Sequence, residues 1–454
     1  MKYQTQKIAL AYFAVAMGLF AIQVLGGLLA GFIYISPNFL STLLPFNVVR
    51  MVHTNALIVW LLLGFFGAAY YLIPEEAERD IHSPKLAYAQ LILLVVGTLG
   101  AVITYVFHLF DGNFFLGLQG REFLEQPLWV KLGIVVAALM FLYNITMTVL
   151  QGRKTAITNV MLLGLWGIAL FFLFAFYVPR NLSLDKMYWW YVVHLWVEGV
   201  WELVMASILA FLMLKLTGVD REVVEKWIYV IVALSLFSGV LGTGHHYYWI
   251  GTPRYWTWIG SIFSTLEVVP FFAMVLFSFT MVWKGGRDHP NKAAMLWSLG
   301  ASVLAFFGAG VWGFMHTLHP INFYSHGTQV TAAHAHLAFF GAYVSINLAI
   351  ITYAMPYLMK REPYNQVLNM ISFWIMSSSM AFMTFVLTFA GAIQTHLQRV
   401  NGEAYMDVQD QLQLFYLMRF GAGAIFVLGA LIFIYSIFVP RKELISAAAP
   451  APAE

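Results

Sequence analysis

Twelve apolar segments of spanning length punctuate this chain. They lie at about 8–33, 51–73, 86–109, 128–150, 157–178, 188–216, 227–250, 255–283, 293–318, 328–358, 366–394 and 413–438. Each is near or above the roughly 20 residues a helix needs to cross a hydrocarbon core. Inside a bilayer each backbone N–H and C=O must be satisfied within its own segment, so such runs are committed to helix. The expected fold is therefore an all-α polytopic membrane protein of twelve transmembrane helices. Connections as short as "QGRKTA" (151–156) and "GGRDHPN" (285–291) leave no room for a soluble domain, so residues 1–440 read as a single membrane domain. The remainder, 441–454, ends in the low-complexity run "SAAAPAPAE" and is expected to be disordered.

Composition agrees. The chain is 61% hydrophobic and 10% charged, far from soluble globular usage. Trp and Tyr gather near the ends of apolar runs, as in "MYWWYVVHLW" (187–196), which suits interfacial belts. The net charge of +3 is spread over short loops and carries no nucleic-acid footprint. Lys2 and Lys7 before an apolar run begin like a signal peptide. That run is too long and lacks a small-residue cleavage site, so it reads as an uncleaved first span. An even number of spans puts both termini on one side. Placing the N-terminus in the cytoplasm collects sixteen of the 24 Lys and Arg residues on the inner side, so both termini are expected to be cytoplasmic.

Cysteine is absent, which excludes disulfides, thiolate metal sites, iron–sulfur clusters and a covalently attached c-type haem. Histidine is not scattered. With this orientation His53, His194, His245, His246, His334 and His336 all fall near the outer ends of spans two, six, seven and ten.

Each of these residues has a plain reading and a chemical one. In "TAAHAHLAFF" (331–340), His334 and His336 stand two apart and so point in nearly opposite directions. They cannot share one metal, but they can reach two different sites; the plain alternative is a hydrogen-bonded pair at a span end. His245 and His246 are adjacent, about 100° apart on a regular helix, and the preceding "GTG" (242–244) permits the distortion a shared ion would need. In "VVHLWVEGVWELV" (192–204), His194 and Glu198 stand at i and i+4 on one face, a chelating spacing or a simple His–Glu hydrogen bond, and Glu202 continues that face. Glu267 lies about a dozen residues into the eighth span with no basic neighbour in sequence, where an ionised carboxylate is expensive. Together these groups form a ligand pool for several metal centres. Imidazole suits haem iron, copper, zinc and non-haem iron, and a carboxylate in the same shell tilts the choice toward iron.

One His on span two, His plus His-His on spans six and seven, and H-x-H on span ten resemble the haem–copper oxidase superfamily. The oxygen reductases of that family usually carry a cross-linked tyrosine where this chain has Glu198, in "HLWVE" (194–198). With "GTGHHYYWIG", "GREFLEQP", "VRMVHTN", "GAGVWGFMHT" and "HGTQVTAAHAH", the chain is similar, over essentially its whole length, to the catalytic large subunits of cytochrome c-dependent bacterial nitric oxide reductases. The long N-terminal extension of the quinol-oxidising relatives is missing. Ala335 stands where glycine is as frequent in the family.

The resemblance implies two haems b, one non-haem iron and one calcium. His53 and His336 would be axial ligands of a low-spin haem, and His334 the proximal ligand of a high-spin haem. His194, His245, His246 and Glu198 would hold the non-haem iron, with Glu267 beside it in a charge-balancing or proton-handling role. Glu122 would bind calcium, and Glu122, Glu125 and Asp185 would admit protons from outside. The implied reaction reduces two NO to N2O and water, with electrons from a membrane-anchored cytochrome c subunit. The implied location is the bacterial inner membrane, with the site toward the periplasm. A haem–copper oxygen reductase with copper at the non-haem site is the nearest rival. A metal-ion or proton transporter would spread its ligands through the membrane depth, and a dihaem electron carrier would leave His194, Glu198, His245 and His246 idle.

Overall fold

The computed structural model describes residues 2–360 and 365–438; the tail expected to be disordered, 441–454, lies outside the described residues. Among the described residues twelve helices are long and apolar enough to cross a membrane. They are α1 (Gln4–Ile33), α2 (Phe46–Ala77), α3 (Pro84–Val106), α4 (Leu128–Leu150), α5 (Ala156–Phe176), α6 (Leu182–Thr217), α7 (Arg221–Tyr247), α8 (Tyr255–Lys284), α9 (Lys292–Thr317), α10 (Gln329–Met359), α11 (Gln366–Val400) and α12 (Gln413–Phe438). All twelve expected spans are present. The largest differences lie at polar ends. Helix α2 starts five residues earlier than its apolar run and carries Asn47 and Arg50 in its first turns. It also continues past Pro74 through Glu75 and Glu76.

That far continuation is stabilised by partners that hydropathy does not register. Glu76 is fully buried, receives both guanidinium nitrogens of Arg221 at 2.7 and 3.0 Å, and accepts from Thr155 Oγ1 at 2.9 Å. Glu75 meets Lys215 Nζ at 2.5 Å. These contacts fasten the end of α2 to α6 and α7. The buried pair exchanges desolvation for two charge-assisted hydrogen bonds.

Burial ranks the helices. Only 22% of the span window of α3 is buried, against 78% for α2, 83% for α6 and 89% for α10. These three most enclosed helices carry His53, then His194 and Glu198, then His334 and His336. The even-numbered helices start at the loop end opposite the start of α1 and the end of α12, so all these residues, with His245 and His246 at the end of α7, occupy the half of the bundle away from those two helix ends.

The helices leave regular α-geometry where the site is built. Trp196–Val200 in α6, Phe306–Trp312 in α9 and Phe340–Val344 in α10 are π-turns, and Thr243–Tyr247 in α7 tightens into a 3-10 turn. Such departures release backbone groups and re-aim side chains, and they recur at functional sites.

Candidate metal centre

One ligand atom each from His194, Glu198, His245 and His246 lies within 4.8 Å of every other. Local irregularities make this possible. Glu198 sits inside the π-turn with φ −114° and ψ 27°, off helical values. Its side chain thereby joins that of His194, whose Nδ1 is 3.5 Å from Glu198 Oε2. On α7 the 3-10 turn brings the adjacent imidazoles together, with His245 Nε2 and His246 Nε2 2.9 Å apart. The distortion allowed by the "GTG" run is thus present. The tight turn also directs the Thr243 N–H to Leu241 O. The carbonyl of Gly239 is then free to accept from His194 Nε2 at 2.8 Å.

The donor chemistry fits a metal ion. His194 Nδ1 is buried and has no hydrogen-bond partner. Its other nitrogen is held by the Gly239 carbonyl, and His245 Nδ1 is held by Ser264 Oγ at 2.7 Å. Fixing one imidazole nitrogen and presenting the other is the usual outer support of metal-ligating histidine. Three nitrogens and one carboxylate oxygen at this spacing suit a first-row cation with bonds of about 2 Å.

The H-x-H pair diverges as helix geometry requires. His336 Nδ1–H donates to Ala332 O at 2.7 Å, and across from it His53 Nδ1–H donates to Gln23 O at 2.7 Å. Both rings thus keep Nε2 free and face one another, centroids 6.4 Å apart and planes within 25°. Two metal–nitrogen bonds of about 2 Å in line through one iron place imidazole centroids about 6 Å apart, so this pair fits a bis-histidine haem. A Cβ on Gly27 would stand 2.5 Å from His53 Cε1, so glycine there leaves the ring its room. His334 faces the other flank, where its Nδ1–H donates to Gly308 O in the π-turn of α9 at 3.0 Å. It too keeps Nε2 free.

Glu267 arrives from α8 with Oε1 3.8 Å from His194 Nε2 and without a hydrogen-bond partner. Gly242 makes way for it, since a Cβ there would overlap that oxygen. Glu202, one turn beyond Glu198, is 1% exposed and likewise has an unpartnered Oε2.

Glu122 is not part of this cluster. It lies in the α3–α4 loop and pairs with Arg50, three residues before His53 on α2. Asp185 contacts Arg121, which also donates to Ala175 O and Tyr177 O. Glu125 is buried and accepts from Asn55 Nδ2 at 2.9 Å; burial pushes its carboxyl above the ordinary range. Of the neighbours that support the ligands, Gly239, Gly308, Ser264 and Trp190 escape sequence reasoning. Their contribution is a carbonyl, a hydroxyl or a ring plane, none of which has a spacing signature.

A twelve-helix bundle with these histidines on α2, α6, α7 and α10 defines a class. The family model described as cytochrome c and quinol oxidase polypeptide I matches residues 7–425, and the chain belongs to that family. Within it, the chain is 54% identical to a nitric oxide reductase subunit of Stutzerimonas stutzeri, over 100% of this chain and 98% of that one. It is also similar, at 22% identity over 92% of this chain and 79% of the other, to a cytochrome c oxidase subunit 1 homolog of Azorhizobium caulinodans. At 23% identity over 86% and 75%, it resembles another such homolog, from Agrobacterium tumefaciens.

Proposed function

We propose that this chain is the catalytic subunit of a nitric oxide reductase, converting two NO, two electrons and two protons into N2O and water. The observation that carries the reading is the carboxylate Glu198 standing with three imidazoles in one donor set. Full-length similarity to a nitric oxide reductase subunit supports it. His194, His245, His246 and Glu198 would hold a non-haem iron, His334 a high-spin haem b, and His53 with His336 a low-spin haem b. When bound, the non-haem iron and the haem iron would supply electrons and stabilise the negative charge that develops on the substrates.

The protein's own contribution is placement and proton handling. Bringing both substrates into one enclosed space replaces a rare encounter with a near-intramolecular one. Glu198 puts negative charge into the donor set, which favours iron over copper. Glu267, buried with a free oxygen 3.8 Å from His194, holds and releases a proton beside the centre. Glu122, Glu125 and Asp185 lie at the same end of the bundle, where protons enter, and Glu122 is also the candidate calcium ligand.

We place this end on the periplasmic side of a bacterial inner membrane, with both termini cytoplasmic and residues 1–440 as one membrane domain. Electrons come from a membrane-anchored cytochrome c subunit, since this cysteine-free chain cannot attach a c-type haem. The test is a count of iron, copper and calcium on the purified complex, together with a reduced-minus-oxidised spectrum and N2O formation from NO. Four irons per complex, three in this chain and one in the c-type haem of its partner, without copper support the reading. Copper near one per chain would favour an oxygen reductase and overturn it.

A further inference from the structure

Three imidazoles meet at the donor set, and two are oriented by hydrogen bonds, His194 by Gly239 O and His245 by Ser264 Oγ. For His246 the only hydrogen-bond contact among the described residues is the 2.9 Å approach of its Nε2 to His245 Nε2, on the side of the donor set. Its other support is a ring. The indole of Trp190 lies 3.7 Å from the His246 ring, centroid to centroid, with the planes only 8° apart. Trp190 precedes His194 by four residues on α6, so that helix supplies one ligand and the backing of another that comes from α7.

The plate is itself anchored. Trp189 lies parallel to Trp190, at 5° and 6.0 Å, and its Nε1–H donates to the carbonyl oxygen of Glu122 at 2.7 Å. Lys186 Nζ covers the Trp189 ring at 3.7 Å. A stack therefore runs from Lys186 through both indoles to His246, pinned at its middle by the α3–α4 loop. An imidazole with no hydrogen bond behind it can turn about its Cβ–Cγ bond and swing Nε2 away from the other donors. A parallel indole in van der Waals contact blocks that rotation, because any turn drives the ring edge into the plate.

We infer that Trp190 is a positioning residue of the metal centre, holding the plane of His246 by stacking where the other two histidines are held by hydrogen bonds. This rests on the reading that His194, Glu198, His245 and His246 bind one ion. The test uses the purified complex with Trp190→Leu, Trp190→Met and Trp190→Phe, and measures iron per chain, release of non-haem iron to a chelator, and haem spectra. Leu and Met remove the flat face while keeping an apolar side chain, and should release non-haem iron 10–100-fold more readily with both haem signals intact, the range for losing an outer support of a metal ligand. Phe keeps a flat face and should restore retention toward the wild type.

Leu and Met variants that hold iron as firmly as the wild type would overturn the inference. So would parallel loss of haem and iron in all three variants, which marks a general packing role. A wild-type complex with no iron beyond its haems would instead overturn the metal-site reading on which this one rests.

Discussion

His53 and His336 face one another ring to ring across α2 and α10, each with Nδ1 committed to a backbone carbonyl and Nε2 turned inward. The pairing orients both rings before any cofactor arrives, so little ordering remains to be done on binding. His53→Ala should therefore abolish the low-spin bis-histidine signal while the high-spin haem on His334 persists. Near-infrared magnetic circular dichroism reads the two separately. An unchanged bis-histidine band would remove His53 from the ligand set.

Much of this was legible in the residue pattern, for physical reasons. A membrane helix has to be apolar and long, so twelve spans stand out without ambiguity. A costly imidazole or carboxylate within a span needs a reason, so His194, Glu198 and Glu267 also stand out. Helix periodicity correctly separates His334 from His336. What stays hidden is set by backbone irregularity. At His245 and His246 the "GTG" run signals that a distortion is permitted but not its form, a 3-10 turn at Thr243–Tyr247 that brings their Nε2 atoms together. The carbonyls of Gly239 and Gly308 become acceptors only because the surrounding turns release them, and no periodicity announces that. The early start of α2 is missed because Arg50 reads as polar on its own, whereas in the fold it pairs with Glu122 from a distant loop.

Glu198 is the one anionic donor in the four-residue set, and the π-turn of α6 is what places it there. Glu198→Ala should lose the non-haem iron, keep both haems and reduce NO turnover by at least about 100-fold, given that outer-support losses alone cost 10–100-fold. Metal analysis beside a haem spectrum checks this. Retention of three irons per chain would count against the assignment.

Glu125 gives a pH prediction with a definite sign. Burial raises its carboxyl above the ordinary value, and the hydrogen bond from Asn55 offsets only part of that. The folded protein then keeps a proton that the unfolded chain gives up, so between the ordinary value and the raised one the folded state binds more protons. Stability from this group is complete below the ordinary glutamate range and is lost as pH rises through the raised value. Glu125→Gln removes the titration. The thermal midpoint of the wild type relative to this variant should therefore fall on going from about pH 5 to about pH 8. A constant difference across that range would show that Glu125 does not titrate there.

Gly239 serves two ligands at once. Its carbonyl orients His194, and its bare Cα admits the bulged backbone of α6, for a Cβ there would overlap Glu198 O. The obstacle is backbone, not the end of a flexible side chain, so α6 and α7 would have to separate to accommodate it. Gly239→Ala should cost roughly 1–3 kcal/mol of stability, the usual range for overpacking a close contact. The same separation moves His194 and Glu198 off their common point with His245 and His246, so non-haem iron should fall well below one per chain. The bis-histidine pair of His53 and His336 lies across other helices and should keep its spectrum. Thermal unfolding together with iron and haem counts reads both effects, and a variant with full iron and an unshifted midpoint would show that the two helices have slack at this contact.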